Sequence, residues 1–255
     1  MTYSIRIIVI AAATMVLSRQ PAAQAPPRPE PLPFGEHTGF TQIFDGATLK
    51  GWDGDPGFWR AEGGSIVGQT TPENKLTENT FIIWRGGEPG DFELKLEYRI
   101  SATNSGIQIR SKRLSPGSAD AQGRTVNGRW VMAGYQADID FANTYTGQIY
   151  EERGRGFLAM RGQSTYVPSS GGPKIVGVLQ ASDDELKGII KATDWNQVHI
   201  IARGNMITEV MNGHVTSTLM DDDTKGRALT GLIGFQMHVG EPMKVEFRNI
   251  WLKQY

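Results

Sequence analysis

The chain has 255 residues and no cysteine. That absence excludes disulfide staples, thiolate catalysis and cysteine-ligated zinc together. Net charge is nearly missing as well: 26 Lys and Arg stand against 27 Asp and Glu, a formal net charge of −1. A nucleic-acid partner calls for a basic stripe that displaces counterions, so no nucleic acid is expected. There are only four histidines, and none sits in an HExxH motif. A GxSxG elbow and a phosphate-cradling glycine loop are lacking too. The apolar run IIVIAAATMVL after Arg6 is too short to cross a bilayer. With the small-x-small pattern Ala23-Gln24-Ala25 it reads as a secretory signal over residues 1–25. Export to periplasm or medium is expected, with no transmembrane segment after signal removal.

What the chain does have is glycine, 31 residues of it, and many short alternating runs. The stretch PPRPEPLPF opens an extended linker over residues 26–38. A single domain is expected over 39–255, long enough to bury a full core without disulfides. FELKLEYRI (92–100) alternates strictly, with Phe92, Leu94, Leu96, Tyr98 and Ile100 on one face. GIQIR (106–110) sends Gln108 and Arg110 to the face opposite Ile107 and Ile109. WNQVHIIARG, MITEVMNG and HVTSTLM read as a meander whose turns are Gly204-Asn205 and Asn212-Gly213. LIGFQMHV and KVEFRNIWL are the closing strands. One helix is signalled, by the capping box of Ser182 and Glu185 before LKGII. Together these predict an all-β, two-sheet antiparallel sandwich or jelly roll with one short helix.

The stretch GYQADIDFANTYTGQIYEERGRG (134–156) carries the candidate chemistry. Alternation puts Gln136, Asp138 and Asp140 on one face and Tyr135, Ala137, Ile139 and Phe141 on the other. Aspartates at i and i+2 are roughly 6–7 Å apart along a strand. They suit joint binding of sugar hydroxyls or of a divalent cation such as calcium; a solvated face countered by lysines is the plain alternative. Tyr150 and Glu152 share a face while Glu151 takes the other, and Arg153 is a candidate binder of hydroxyl or carboxylate; a charged loop closed by its own salt bridges is the competing reading. Gln108 shares a face with Arg110, whose guanidinium fork suits an oxyanion or Asp138; a surface ion pair is its alternative role. In FQMHV, His238 alternates with Gln236, a candidate substrate binder; an imidazole suits proton transfer near neutrality, and a structural histidine bonded at a sheet edge is the alternative. His37, His199 and His214 lack comparable context. Asn104 stands at a turn beside Ser105-Gly106. Trp84, Trp130, Tyr135 and Tyr145 are candidate sugar platforms, whereas Trp52, Trp59 and Trp195 read as core or edge residues.

Eight words in order carry a resemblance. They are FTQIFDGATLKGWDGD with FWRAEGGSIVG, DFELKLEYRI with NSGIQIRS, GYQADID, TGQIYEERGRG, DWNQVHIIARG, MNG, GFQMHVG and MKVEFRNIWLK. The sequence resembles the 3-keto-disaccharide hydrolase family, formerly domain of unknown function 1080. The resemblance implies a concanavalin-like jelly roll acting on glycosides whose sugar bears a ketone at C3. It also strengthens His238 as a base, with Asp138, Glu152 and Arg110 completing a catalytic set. Gln136 stands where a common form of the family has Glu, so no carboxylate role carries over there. A carbohydrate-binding module without catalysis, or an adhesive envelope domain, would share this fold.

Overall fold

A computed structural model describes residue 30 and residues 32–255. The expected signal over 1–25 lies outside the described residues. The compact unit runs from Pro33 to Tyr255. In chain order its first strands are β1 (Thr41–Gln42), β2 (Trp52–Asp53), β3 (Trp59–Glu62), β4 (Ser65–Gln69), β5 (Thr80–Trp84) and β6 (Phe92–Ile100). Next come β7 (Asn104–Leu114), β8 (Val131–Asp140), β9 (Ile149–Glu152), β10 (Gly156–Ala159), β11 (Gln163–Val167) and β12 (Lys174–Val178). After helix α1 (Asp183–Gly188) follow β13 (Asn196–Arg203), β14 (Met206–Met211), β15 (His214–Asp221), β16 (Leu232–Met237) and β17 (Lys244–Gln254). Among the described residues no helix is long and apolar enough to cross a membrane.

These strands form two sheets. One has ten strands in the order β12-β11-β15-β14-β13-β6-β17-β4-β3, with β1 also paired to β17. The other has seven, β10-β9-β8-β7-β16-β5-β2. The expected jelly-roll sandwich is what folds, with one departure from antiparallel order: β11 runs parallel to β15. That pairing crosses over β12, α1, β13 and β14, the long connection a parallel pair needs. The meander turns form where expected, Asn212 and Gly213 both taking positive φ (48° and 81°), the conformation of a tight hairpin turn. Ser182 caps α1 through the reciprocal bonds with Glu185.

The core lies between the sheets because alternation points one side chain in two at the other sheet. Phe92, Leu94, Leu96 and Tyr98 meet Ile107, Ile109, Tyr135 and Ile139 there. Phe235 of β16 stacks on Phe247 of β17 at 4.2 Å between ring centroids, stitching sheet to sheet. Trp52 and Trp59 are buried in the same core. Lys95, on the face of β6 opposite those core residues, is buried for a local reason. Its ammonium donates to the carbonyls of Phe34 (3.2 Å) and Glu36 (2.7 Å), and His37 stacks on Trp251 at 4.3 Å. The residues just after the proline-rich stretch are thereby packed on the outer face of the larger sheet, and the compact unit starts earlier than Gly39.

Arg110 departs from its expected face. The β7–β8 register shifts between Ile109 and Lys112, and Arg110 has φ 45°. A bulge of this kind re-aims a side chain. Instead of joining Gln108, the buried guanidinium donates to the carbonyls of Gly90 (2.9 and 2.8 Å) and Gly204 (2.6 Å) and to Asp91 Oδ1 (3.2 Å). Those partners flank β6 and β13 of the opposite sheet, so Arg110 ties the two sheets and takes no part in the outer face. Arg110→Met is expected to lower stability by roughly 2–4 kcal/mol, because two carbonyls lose charged donors. A drop in the urea midpoint at unchanged slope checks this, and ligand turnover by the folded fraction should not move.

Candidate functional site

The outer face of the seven-stranded sheet is organised by cross-strand register. Asn104 stands opposite Asp140, Gly106 opposite Asp138 and Gln108 opposite Gln136; Gln136 in turn stands opposite Tyr150. On the other edge of β7, Phe235 pairs with Ile107 and Gly234 with Gln108. One step along that ladder sets Gln236 beside Gly106. The row across the sheet is therefore Gln236, Gly106, Asp138, with no side chain in the middle. A Cβ on Gly106 would come within 2.3 Å of Gln136 Cδ, so glycine is what lets Gln136 lie over β7.

A hollow of about 270 Å³ opens above this row. Asp138, Glu152, His238 and Gln236 line it, joined by Asn104, Gln136, Asp140 and Tyr150. Its apolar wall is Tyr145 and Phe157, both partly exposed. Their rings stack at 5.8 Å between centroids, and Tyr150 meets Phe157 edge-on at 5.1 Å. Strands far apart in the chain thus turn their polar sides into one cavity.

A directed chain of hydrogen bonds ends on Asp138. Ser111 Oγ donates to Gln108 Oε1 (2.5 Å), Gln108 Nε2 to Gln136 Oε1 (2.7 Å), and Gln136 Nε2 to Asp138 Oδ1 (2.7 Å). Gln108 is consequently one layer behind the cavity, orienting Gln136. Burial pushes the Asp138 carboxyl up to about 8 against the bond from Gln136, and the charges of Glu152 and Asp140 add to the rise. Glu152 is raised too, mainly by burial, while Asn79, Arg153 and His238 pull it back. Asn79 spans this corner: its Nδ2 donates to Glu152 Oε1 (3.5 Å) and its Oδ1 accepts from Val239 N (3.0 Å). His238 Nδ1 lies 2.6 Å from the Val239 carbonyl, a pure acceptor. Nδ1 of the neutral ring therefore carries the proton, and Nε2 keeps its lone pair.

Asp140 has a different duty, accepting from the backbone N–H groups of Thr144 (2.8 Å) and Tyr145 (3.3 Å). That closes the turn which carries Tyr145. Its Oδ2 and Asp138 Oδ1 are both occupied by N–H donors, a poor start for calcium. Among the described residues no three Asp, Glu or His side chains converge on a point where a metal could sit.

Several residues that the sequence pattern nominates are elsewhere in the fold. Arg153 has φ 52°, which breaks the alternation just after β9. Its guanidinium binds Glu78 (2.5 Å) and Asp120 (3.1 Å), clamping two loops and leaving no fork for a ligand. Glu151 faces away from Glu152 and is paired with Arg155 (2.7 Å). Tyr135 points inward, its hydroxyl bonded to Asp221. Trp84 is in the core, and Trp130 donates to Asp53 (2.8 Å) away from the hollow. His199 is held by Glu93 (2.9 Å). Two residues of the site escape a reading by alternation. Phe157 enters through the register of β10, where it pairs with Tyr150, and Asn79 sits in a loop with no local signal.

The titration of Asp138 has a checkable consequence. Its folded pKa, about 8, lies above the ordinary aspartate value of 3.8. Between those values the native state binds more protons than the unfolded one, so this group's contribution to stability falls as pH rises from about 4 to about 8. Asp138→Asn should flatten that part of the stability–pH curve. It should also abolish a carboxyl carbon resonance titrating near 8 by NMR; a wild-type Asp138 resonance titrating near 4 would contradict the assignment.

Comparison with known proteins now places the chain. The family described as 3-keto-alpha-glucoside-1,2-lyase-like domain matches residues 39–253. No curated protein matches the sequence. Among solved structures, one from Parabacteroides distasonis ATCC 8503, named "Putative glycosyl hydrolase", has 15% identity and a TM-score of 0.51 over 85% of this chain and 99% of that one. A Bacillus subtilis protein of unknown function with a galectin-like fold has 15% identity and a TM-score of 0.50, covering 81% and 90% of the two chains. The carbohydrate-binding module CBM66 from Bacillus subtilis has 12% identity and a TM-score of 0.48, covering 80% and 96%. At such identities the first two likenesses show the fold alone. Family membership rests on the match across nearly the whole described unit: the chain belongs to the 3-keto-alpha-glucoside-1,2-lyase-like family.

Proposed function

We propose that the protein cleaves glycosides whose sugar ring carries a ketone at C3, by elimination across C1 and C2 followed by addition of water. One observation supports this above the rest. A buried carboxyl that holds its proton near neutrality, Asp138, shares a sugar-sized hollow with an imidazole whose Nε2 is free to accept one, His238.

The chemistry follows from the ketone. It acidifies the C2 hydrogen, so His238 Nε2 takes that proton and the C–H electron pair becomes the C2=C3 bond of an enolate. The electrons then return from the enolate oxygen, forming C1=C2 as the C1–O bond breaks. The leaving oxygen keeps the bond pair and takes the proton of Asp138. Products are an enone and the free alcohol, with His238 protonated and Asp138 ionised. Addition reverses the flow: Asp138 removes a proton from water attacking C1, and the imidazolium returns its proton to C2. Glu152 shares the hollow with His238, whose charge is among the influences that draw the Glu152 carboxyl back down against burial. Tyr145 and Phe157 offer flat faces for the C–H side of the sugar. Ordinary glycoside hydrolysis would instead place two carboxyl groups across the scissile bond.

The test uses 3-keto-glucosides with two leaving groups, an ordinary sugar and p-nitrophenol. His238→Ala should lower kcat on both by about 10²–10⁴-fold. Asp138→Asn should slow the sugar leaving group far more than p-nitrophenol, which departs without an acid. Binding of 3-keto-glucosides without turnover by the wild type would instead make this a carbohydrate-binding module. Undiminished activity in folded His238→Ala would remove His238 as the base, and lost activity in chelator, restored by calcium, would restore a metal to the reaction.

A further inference from the structure

With Arg110 tied into the opposite sheet, the elimination lacks a group to receive the charge that develops on the C3 oxygen. We propose that Gln236 is that group: its side-chain amide donates to the C3 ketone and to the enolate oxygen formed from it. The assignment rests on the 3-keto-glycoside reading, which it deepens.

The amide of Gln236 is fully buried, and neither Nε2 nor Oε1 has a hydrogen-bond partner among the described residues. Four of the polar side chains that share its hollow are engaged elsewhere. Gln136 is held between Gln108 and Asp138, Asp140 by its turn, Glu152 by Asn79 and His238 by the Val239 carbonyl. A buried amide left unpaired costs stability, commonly about 1–3 kcal/mol per unsatisfied group. The neighbours explain why no protein group relieves it. Phe81 stands opposite Gln236 on β5, and Gly106 on β7 has no side chain to offer. Ser105 Oγ donates to the main-chain carbonyl of Gln236 (2.6 Å), which holds the backbone and leaves the amide free. With no bond to break, rotation about its side-chain torsions turns the amide to a ligand.

Position agrees with the role. Gln236 and His238 are alternate residues on one edge of the hollow, roughly 6–7 Å apart along the chain. Asp138 is two strands away across Gly106, about 10 Å between backbones. A pyranose ring set over Gly106 meets the base and the amide on one side and the acid on the other. C2 and C3 then face β16, and the C1 substituent faces β8. As the C2 proton moves to His238, negative charge grows on the C3 oxygen, and an N–H donor in a water-excluded site strengthens with it. Gln236 neither gains nor loses a proton. Its Oε1 remains to accept a ring hydroxyl, and since no protein group orients the amide, the sugar does.

The experiment separates this assignment from a structural role and from the parent reading. Gln236→Leu and Gln236→Glu are compared with wild type in three measurements: thermal unfolding, exchange of the C2 hydrogen of 3-keto-glucose in D2O by NMR, and calorimetric binding of the same sugar. Because Gln236 loses no protein bond, Gln236→Leu should unfold at the wild-type temperature or higher. Its C2 exchange should fall by about 100-fold or more, the usual effect of deleting an oxyanion donor. Gln236→Glu should be as slow once pH is high enough to ionise its buried carboxyl, since a carboxylate cannot donate there. Exchange within threefold of wild type in folded Gln236→Leu overturns the proposal. If neither leucine nor glutamate variant folds, Gln236→Asn serves, and the same threshold applies. Failure of wild type to exchange or cleave 3-keto sugars sinks the parent reading, and binding then decides on Gln236. Tenfold weaker binding by the leucine variant supports the amide as the ketone's partner; equal binding, or none by wild type, overturns it.

Discussion

The antiparallel ladders that hold β7 between β8 and β16 are the constraint on which both core and cavity depend. β7 meets β8 from a neighbouring part of the chain and β16 from more than a hundred residues away. Because side chains alternate across a strand, one choice of register fixes two surfaces together. It sends Ile107, Tyr135 and Phe235 into the core and Asp138, Gln136 and Gln236 to the opposite face. A slip of one residue on either ladder would exchange the two sets. Gly106 depends on the same register, since it is needed where Gln136 lies across the strand.

Burial of polar groups on that outer face is the second organising fact. Asp138 is held between a carboxamide relay and a hollow, and its proton affinity rises because a charge there is poorly solvated. Glu152 experiences the same effect with more compensation from Asn79, Arg153 and His238. Arginines at the perimeter do structural work: Arg110 joins the sheets, Arg153 clamps loops, and Arg155 gathers Glu151, Asp221 and Asp223. The cations are thus drawn into ion pairs away from the hollow. This leaves the carboxyl of Asp138 free to remain protonated.

Much of the fold was legible because period-two alternation reports burial directly. FELKLEYRI, the meander with its Asn212-Gly213 turn and the Ser182 capping box all formed as local physics requires. The candidate cavity was legible wherever alternation ran unbroken, as in YQADID and FQMH. It failed where backbone took a positive φ. Arg110 and Arg153 each sit one step beyond such a run, and at each the chain turns out of the pleat. No periodicity announces a bulge, because its cause is a mismatch between partners that are distant in sequence.

Residue order alone therefore settled the all-β class, the inward and outward faces of the long strands where alternation runs unbroken, and the family words that name a sugar chemistry. Those follow from local sterics and hydrophobic pattern, which act over a few residues. Tertiary pairing decided which polar faces meet, that Gly106 separates Asp138 from Gln236, and that Phe157 and Asn79 join the site. It also decided that Arg110 and Arg153 do not. Pairing partners, bulges and burial are properties of strands brought together from across the chain, and electrostatic environment exists only once they are assembled.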